Sequence, residues 1–163
     1  MNIIMTGSTS FVGAATVREL LRRGHTVTAI VRPDSSKLDT ILEGNEEALL
    51  TGHLLVTEND LSEPEKLLEK VTKPQDVFCH FGWGGSGSAS RTDKALQEKN
   101  MEISLETIRT AKALGCKKVP VLRLPGGVRN APGSDHGGHG LRAEIPVWRG
   151  EACHAGKGRK TLR

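Results

Sequence analysis

The chain has 163 residues, a formal net charge of +4, a hydrophobic fraction of 36% and no tyrosine, which is enough for one domain with a real core. No run of about eighteen apolar residues occurs, and the N-terminus lacks the basic start and long apolar run of a signal peptide, so a spanning helix is excluded and a cytoplasmic location expected. Cys79, Cys116 and Cys153 follow no framework spacing and read as reduced thiols rather than disulfides.

Taken in order, Asn2 to Met5 is a short apolar run that reads as a buried strand. Val12, Ala15, Val17, Leu20 and Leu21 then give the stretch Ala14 to Arg23 an apolar face at helical spacing. Arg22 and Arg23 in the last turn and Gly24 just past it end that helix. Thr26 to Val31 is rich in β-branched residues and predicts a second strand, stopped by Pro33. Lys37 to Glu43 fits a short helix and Leu54 to Val56 a short third strand. Ser62, with Glu65 at the capping-box position, predicts the next helix, with Leu67, Leu68 and Val71 as its buried stripe. Gln75 to Phe81 is the fourth strand. Asp93 to Leu114 is a long amphipathic helix that should turn Leu96, Met101, Leu105, Ile108, Ala111 and Leu114 inward and end at Gly115. Cys116-Lys117-Lys118 should lead into strand five. Strands separated by helices predict an α/β fold with a parallel, doubly wound, Rossmann-like sheet and right-handed crossovers.

The first turn carries the chemistry. Thr6 to Gly13 reads T-G-S-T-S-F-V-G between a strand and a helix. Gly7 permits a tight turn straight out of the strand, Gly13 lets the helix pack close to the sheet, and the helix N-terminus, reached through Ser10, Phe11 and Val12, offers free N–H groups and a positive dipole end to a pyrophosphate. Strand, glycine turn, helix and second strand together form the opening unit of a dinucleotide-binding domain. At the end of the second strand an acidic residue would accept the ribose hydroxyls of NAD. Arg32 instead offers a planar fork to a 2′-phosphate, with Ser35, Ser36 and Lys37 close behind, which favours NADP; Asp34 argues mildly the other way.

On these residues the chain resembles the extended short-chain dehydrogenase/reductase family, the NAD(P)-dependent epimerases, dehydratases and reductases of nucleotide sugars and related substrates. The family turn is T-G-x-x-G-x-x-G, and Ser10 stands where the middle glycine comes nearest the pyrophosphate, so the resemblance implies a weakened or reshaped site. It also implies that Asp60 and Leu61 contact the adenine, and that Phe81, Gly82 and Trp83, in the place of the family's H-L-A-A, lie along the cofactor. Asn100 matches a helix Asn that supports the active-site backbone, or is a plain surface Asn; His80 reads as a satisfied structural histidine rather than a catalytic one. The complete enzyme of this kind is expected to be a homodimer with a small-molecule substrate, and to need neither nucleic acid nor membrane.

The composition changes at about Val119. Residues 1–118 hold 15 Lys and Arg against 16 Asp and Glu, whereas residues 119–163 hold 8 against 3, with nine of the 19 glycines, so the basic character belongs to the tail. The division expected is a partial cofactor-binding domain over 1–118 and an irregular, disordered tail over 119–163. His136, His139, Cys153 and His154 fit no zinc spacing, so no metal site is expected. The resemblance implies a Ser or Thr at the end of strand five and, further on, Y-x-x-x-K, whose Tyr transfers the proton. A chain without tyrosine has no such catalytic set. Suitable codons for Val119 to Arg129, read one base later, encode F-L-F-S-G-S-Q-A-E-Y-G, and those for Ile145 to Ala152 encode S-R-Y-G-E-A-K. Both are family-like motifs in one alternative frame, which points to a frameshift. The other reading is a non-catalytic NADP-binding or sensor protein.

Overall fold

The computed structural model describes residues 1–85 and 87–121. The expectations for the tail, that it is disordered and lacks the catalytic set, lie outside the described residues. Four strands, β1 (Asn2–Thr6), β2 (Thr26–Val31), β3 (Leu54–Glu58) and β4 (Val77–His80), form one sheet in the order β3-β2-β1-β4. All pairings are parallel, with registers from Asn2 opposite Thr26 to Thr6 opposite Ile30, and from Ile3 opposite Val77 to Thr6 opposite His80. After the last helix the chain runs alongside β4. Lys117 N–H donates to the Asp76 carbonyl at 2.9 Å, Phe78 N–H to Lys118 at 3.0 Å and His80 N–H to Pro120 at 2.9 Å. Where a fifth strand was expected, the described residues form two isolated parallel bridges to β4, Lys118 opposite Val77 and Val121 opposite His80.

The helices are α1 (Phe11–Arg22), α2 (Asp39–Leu42), α3 (Glu46–Leu50), α4 (Leu67–Lys70, entered by a 3-10 turn Pro64–Lys66), α5 (Ser88–Thr92) and α6 (Lys94–Ala113). Because side chains alternate along a strand, Ile3, Met5, Val27, Ala29, Val31 and Cys79 pack on one face with Ala14 and Val17 of α1 and Ile41 of α2. Ile4, Ile30 and Phe78 pack on the other with Leu67, Val71, Ala111 and Cys116. Helices on both faces of a parallel sheet are the doubly wound arrangement expected, and full burial of each such aliphatic side chain contributes roughly 1.5–3 kcal/mol. Cys79 and Cys116 are buried, and burial raises both thiols to about 11, as inert structural cysteines require. No described helix is long and apolar enough to cross a membrane.

Several local expectations are corrected. The first helix starts at Phe11 rather than Ala14, because Ser10 caps it. Its buried face is Gly13, Ala14 and Val17, which leaves Val12 and Ala15 exposed. Ser62 does not cap the following helix. Its hydroxyl and its N–H both go to Asp60 Oδ1, at 2.6 and 2.8 Å, and Pro64, whose fixed φ suits a first helical position, sets the start instead. Leu68 is 45% exposed, outside the stripe formed by Leu67 and Val71. The face of α6 is rotated from the expected one: Asn100, Thr107, Thr110 and Ala111 are buried, while Met101, Leu105 and Ile108 are exposed. Helix α3 was not foreseen.

Candidate functional site

The strands of a parallel sheet all end on one side, and there the sequence-predicted residues meet. A cleft of about 610 Å³ is lined by Gly7, Ser10, Phe11 and Val12 from the first turn and by Arg32 past β2. Asp60 and Leu61 past β3, and Phe81, Gly82 and Trp83 past β4, complete the set. Of the predicted residues only Gly13 stands behind the wall, buried at the start of α1. Its place there is steric: a Cβ on Gly13 would sit 2.1 Å from the Gly7 carbonyl oxygen. Gly7 adopts φ +69°, and a Cβ there would meet the Phe81 carbonyl at 2.6 Å and Gly82 N at 2.7 Å. The turn and the end of β4 are thus in backbone contact, which only a residue without a side chain allows.

Ser10 does something the motif did not disclose. Its Oγ accepts the Gly13 N–H at 3.0 Å and caps α1. One of the amides expected to face an anion is therefore taken up internally, while those of Phe11 and Val12, in the first turn, have no acceptor within their helix. No acidic residue occupies that turn, so the positive end of the helix is left uncompensated. On the opposite rim Asp60 is held below the usual carboxylate range, first by the Ser62 hydroxyl and its N–H, then by the charges of Arg32 and Lys99. It is therefore ionised. Among the described residues Arg32 is exposed and makes no ion pair, and Lys37 also lines the cleft.

The floor past β4 is fixed by buried polar groups. Asn100, 3% exposed, accepts Gly84 N–H on Oδ1 and donates from Nδ2 to the Gly84 carbonyl, both at 2.9 Å; it is the backbone support, not a surface Asn. Trp83 Nε1 donates to Gln97 Oε1 at 3.0 Å. His80 is 1% exposed, with Nδ1 2.9 Å from Thr6 Oγ1 and Nε2 3.2 Å from Ser104 Oγ, and burial lowers it to about 4. It is a neutral, satisfied histidine that does not reach the cleft surface. Asn59 was missed in the sequence. Buried behind Asp60, it donates to the carbonyls of Asp60 and Glu63 and accepts Lys70 Nζ, and nothing at its position in the chain marks it out. Ser8 was missed likewise: fully buried, it donates to the Ile30 carbonyl at 2.9 Å and fastens the turn to β2. A shallower groove of about 520 Å³ lies beyond the far end of α1, where Arg18 donates to the Thr40 carbonyl and Arg22 pairs with Glu19. No group of three or more metal-ligating side chains forms among the described residues.

Residues 3–123 match the description "NAD dependent epimerase/dehydratase family". The chain belongs to that family. The match runs five residues past Lys118, slightly beyond the extent of the resemblance read from motifs. Among solved structures, the chain is similar to the UDP-glucose 4-epimerase of Thermotoga maritima solved with UDP-glucose, at 22% identity and a TM-score of 0.59. The alignment covers 74% of this chain and 37% of that one. It is also similar to the UDP-glucose 4-epimerase of Thermus thermophilus in complex with NAD, at 20% identity and a TM-score of 0.57, over 73% of this chain and 36% of that one. These likenesses show the epimerase/dehydratase fold, and the chain spans little more than a third of the length of either protein. A stretch of 33 residues is 54% identical to the chloroplastic divinyl chlorophyllide a 8-vinyl-reductase of Oryza sativa subsp. indica, covering 20% of this chain and 8% of that protein.

Proposed function

We propose that residues 1–118 are the NAD(P)-binding part of a cytoplasmic epimerase, dehydratase or reductase of the extended short-chain dehydrogenase type. In its complete form it would act on a nucleotide sugar or a related carbonyl or hydroxyl substrate. One observation carries the reading: the glycine turn, Arg32, Asp60, Leu61 and the Phe81–Trp83 strip border a single cleft at the strand ends, where open α/β sheets take their ligands. The residues fit a dinucleotide. Gly7 and Gly13 leave no room for a Cβ, and the two open amides of α1 suit a pyrophosphate. When bound, such a cofactor supplies a hydride acceptor or donor. The chain's own part is to hold the pyrophosphate at the Phe11 and Val12 amides, to receive the adenine by Asp60 and Leu61, and to lay Gly82 and Trp83 along the far half. Ser10 narrows the anion site to those two amides.

Arg32, which makes no ion pair among the described residues, and Lys37 on the same rim support NADP over NAD, because a guanidinium fork matches a phosphate and not a ribose hydroxyl pair. Fluorescence titration with NADPH and NADH tests both levels of the proposal. NADPH is expected to bind more tightly, and Arg32→Asp to weaken NADPH by about tenfold or more while sparing NADH. Equal affinities in the parent chain would remove the NADP preference, and binding of neither would remove the reading.

The absence of tyrosine supports two accounts of activity. In the first, the codons after Lys118 are read one base out of frame, and the Ser and Y-x-x-x-K motifs lie in the other frame. Resequencing the DNA from Lys117 to Arg163 is expected to reveal a single-base error; an unaltered sequence would leave either a broken gene or the second account, a non-catalytic NADP-binding or sensor protein, which the NADPH titration separates. Either way the purified chain should turn over no sugar nucleotide, and measurable turnover would contradict both. Self-association is proposed as well, as in the homodimer expected of the complete enzyme. The exposed stripe Met101, Leu105 and Ile108 on α6 supports it, and a stable monomer in gel filtration would overturn it.

A further inference from the structure

His80 stands in the middle of a closed ring of hydrogen bonds that no sequence pattern announced. Thr6 at the end of β1 accepts Gly82 N–H at 3.2 Å and lies 2.9 Å from His80 Nδ1. His80 Nε2 lies 3.2 Å from Ser104 Oγ, and Ser104 donates to the Asn100 carbonyl at 2.8 Å. Asn100 holds both backbone groups of Gly84. The chain from Gly84 through Trp83 to Gly82 closes the circuit.

The donors assign themselves. Ser104 has one hydroxyl proton, and it is given to Asn100, so towards His80 the Ser104 oxygen can only accept. His80 therefore carries its proton on Nε2 and accepts the Thr6 hydroxyl on Nδ1. The Thr6 oxygen is left free for the Gly82 amide. A single neutral imidazole thus presents a donor to α6 and an acceptor to β1, two elements with no backbone bond between them at this point. Lysine or arginine could not do this, having no acceptor, and an aliphatic residue could do neither.

Gly82 and Trp83 belong to the strip of cleft wall that the dinucleotide reading places along the cofactor, and Gly84 follows them in the cleft lining. We propose that His80 is the positioning residue of that wall: by joining Thr6 to Ser104 it fixes the Gly82 and Gly84 amides in one arrangement before any ligand arrives. The proposal rests on the cofactor reading for its consequence, but not for its geometry. It goes beyond a buried histidine that merely fills space, since a shape-filling residue would leave the Gly82 amide where it is only by accident of packing.

The test compares His80→Leu, His80→Gln and Ser104→Ala in the full chain, by amide hydrogen exchange at Gly82 and Gly84 without ligand and by NADPH titration. His80→Leu should speed exchange at Gly82 and weaken NADPH about tenfold, the effect of losing a buried hydrogen-bonded link. His80→Gln, whose carboxamide offers one acceptor and one donor, should recover most of both. Ser104→Ala keeps helix propensity and shape, and should speed exchange by a smaller factor in the same direction, so it serves if His80→Leu does not fold. Unchanged Gly82 exchange in Ser104→Ala, or a Gln variant no better than Leu, would overturn the proposal. A parent chain that binds neither NADPH nor NADH, yet shows the expected exchange pattern, would remove the cofactor reading and leave the positioning role standing.

Discussion

Three glycines separate two physical costs that are usually confounded. Gly24 has φ +76° and nothing within 4 Å of an added Cβ. Gly13 has no such φ, but its Cβ would stand 2.1 Å from the Gly7 carbonyl oxygen and 2.8 Å from Ser10 Oγ. Gly7 has both problems, with φ +69° and the Phe81 carbonyl at 2.6 Å. A left-handed backbone costs an alanine about 1–2 kcal/mol, and forcing a methyl into a filled space costs about 1–3 kcal/mol. Gly24→Ala should therefore destabilise by about 1–2 kcal/mol and Gly7→Ala by the sum, about 2–5 kcal/mol. Gly13→Ala recovers about 1 kcal/mol of helix propensity, yet opposes a backbone oxygen that cannot turn aside, so it should still lose stability. The entropy that alanine removes from the unfolded chain is common to all three and cancels in the differences. Denaturant unfolding reads these values as shifts of midpoint at constant slope. If Gly7→Ala and Gly24→Ala proved equally destabilising, the close contact between the first turn and the end of β4 would not exist, and the cleft would lose its rear wall.

Other consequences follow from single residues. Burial lowers His80 from 6.5 to about 4, so the unfolded chain takes up this proton first: its contribution is fully present above about pH 6.5 and is lost as pH falls through 4, about 3 kcal/mol in all. Denaturant midpoints at successive pH values should show that decline in the parent and not in His80→Gln. An identical slope in both would refute it, since Glu19, held at about 2 by Arg22 and Arg23, loses its partners only at lower pH. Ser10→Ala should cost about 1 kcal/mol by removing the cap of α1, whereas Ser10→Gly should cost a few tenths and, by returning the Gly13 amide to the cleft, tighten dinucleotide binding. Calorimetric titration of the two variants checks this, and weaker binding by Ser10→Gly would contradict it.

The opening strand, turn, helix and strand were legible because each rests on a strong local signal: a glycine with no tolerated substitute, a basic last turn before Gly24, a β-branched run from Thr26. The lining of the candidate cleft was legible for the same reason, since its residues sit at strand ends, where chain order nearly dictates position. Helix α6 was read on the wrong face. Periodicity was counted on apolar residues, but Thr107 is buried with its hydroxyl on the Ile103 carbonyl at 2.8 Å, and Asn100 is satisfied by Gly84, 16 residues back. Polar residues that find partners can be core, and a hydrophobic count does not see them. Ser62 illustrates a second limit: the capping pattern was present, but Asp60 two residues earlier competed for the hydroxyl and Pro64 set the helix start. Ser8 and His80 illustrate a third, because their meaning lies in partners 22 and 74 residues distant.

The central claim is that the cleft at the strand ends holds a dinucleotide. Backbone amide shifts of the labelled chain, followed during addition of NADPH, test it most directly. The account expects saturable shifts at Gly7, Phe11, Val12, Gly82 and Gly84, with Arg32 and Lys37 moving more for NADPH than for NADH. Shifts confined to the groove by Arg18 and Arg22, or none at saturating cofactor, would contradict it.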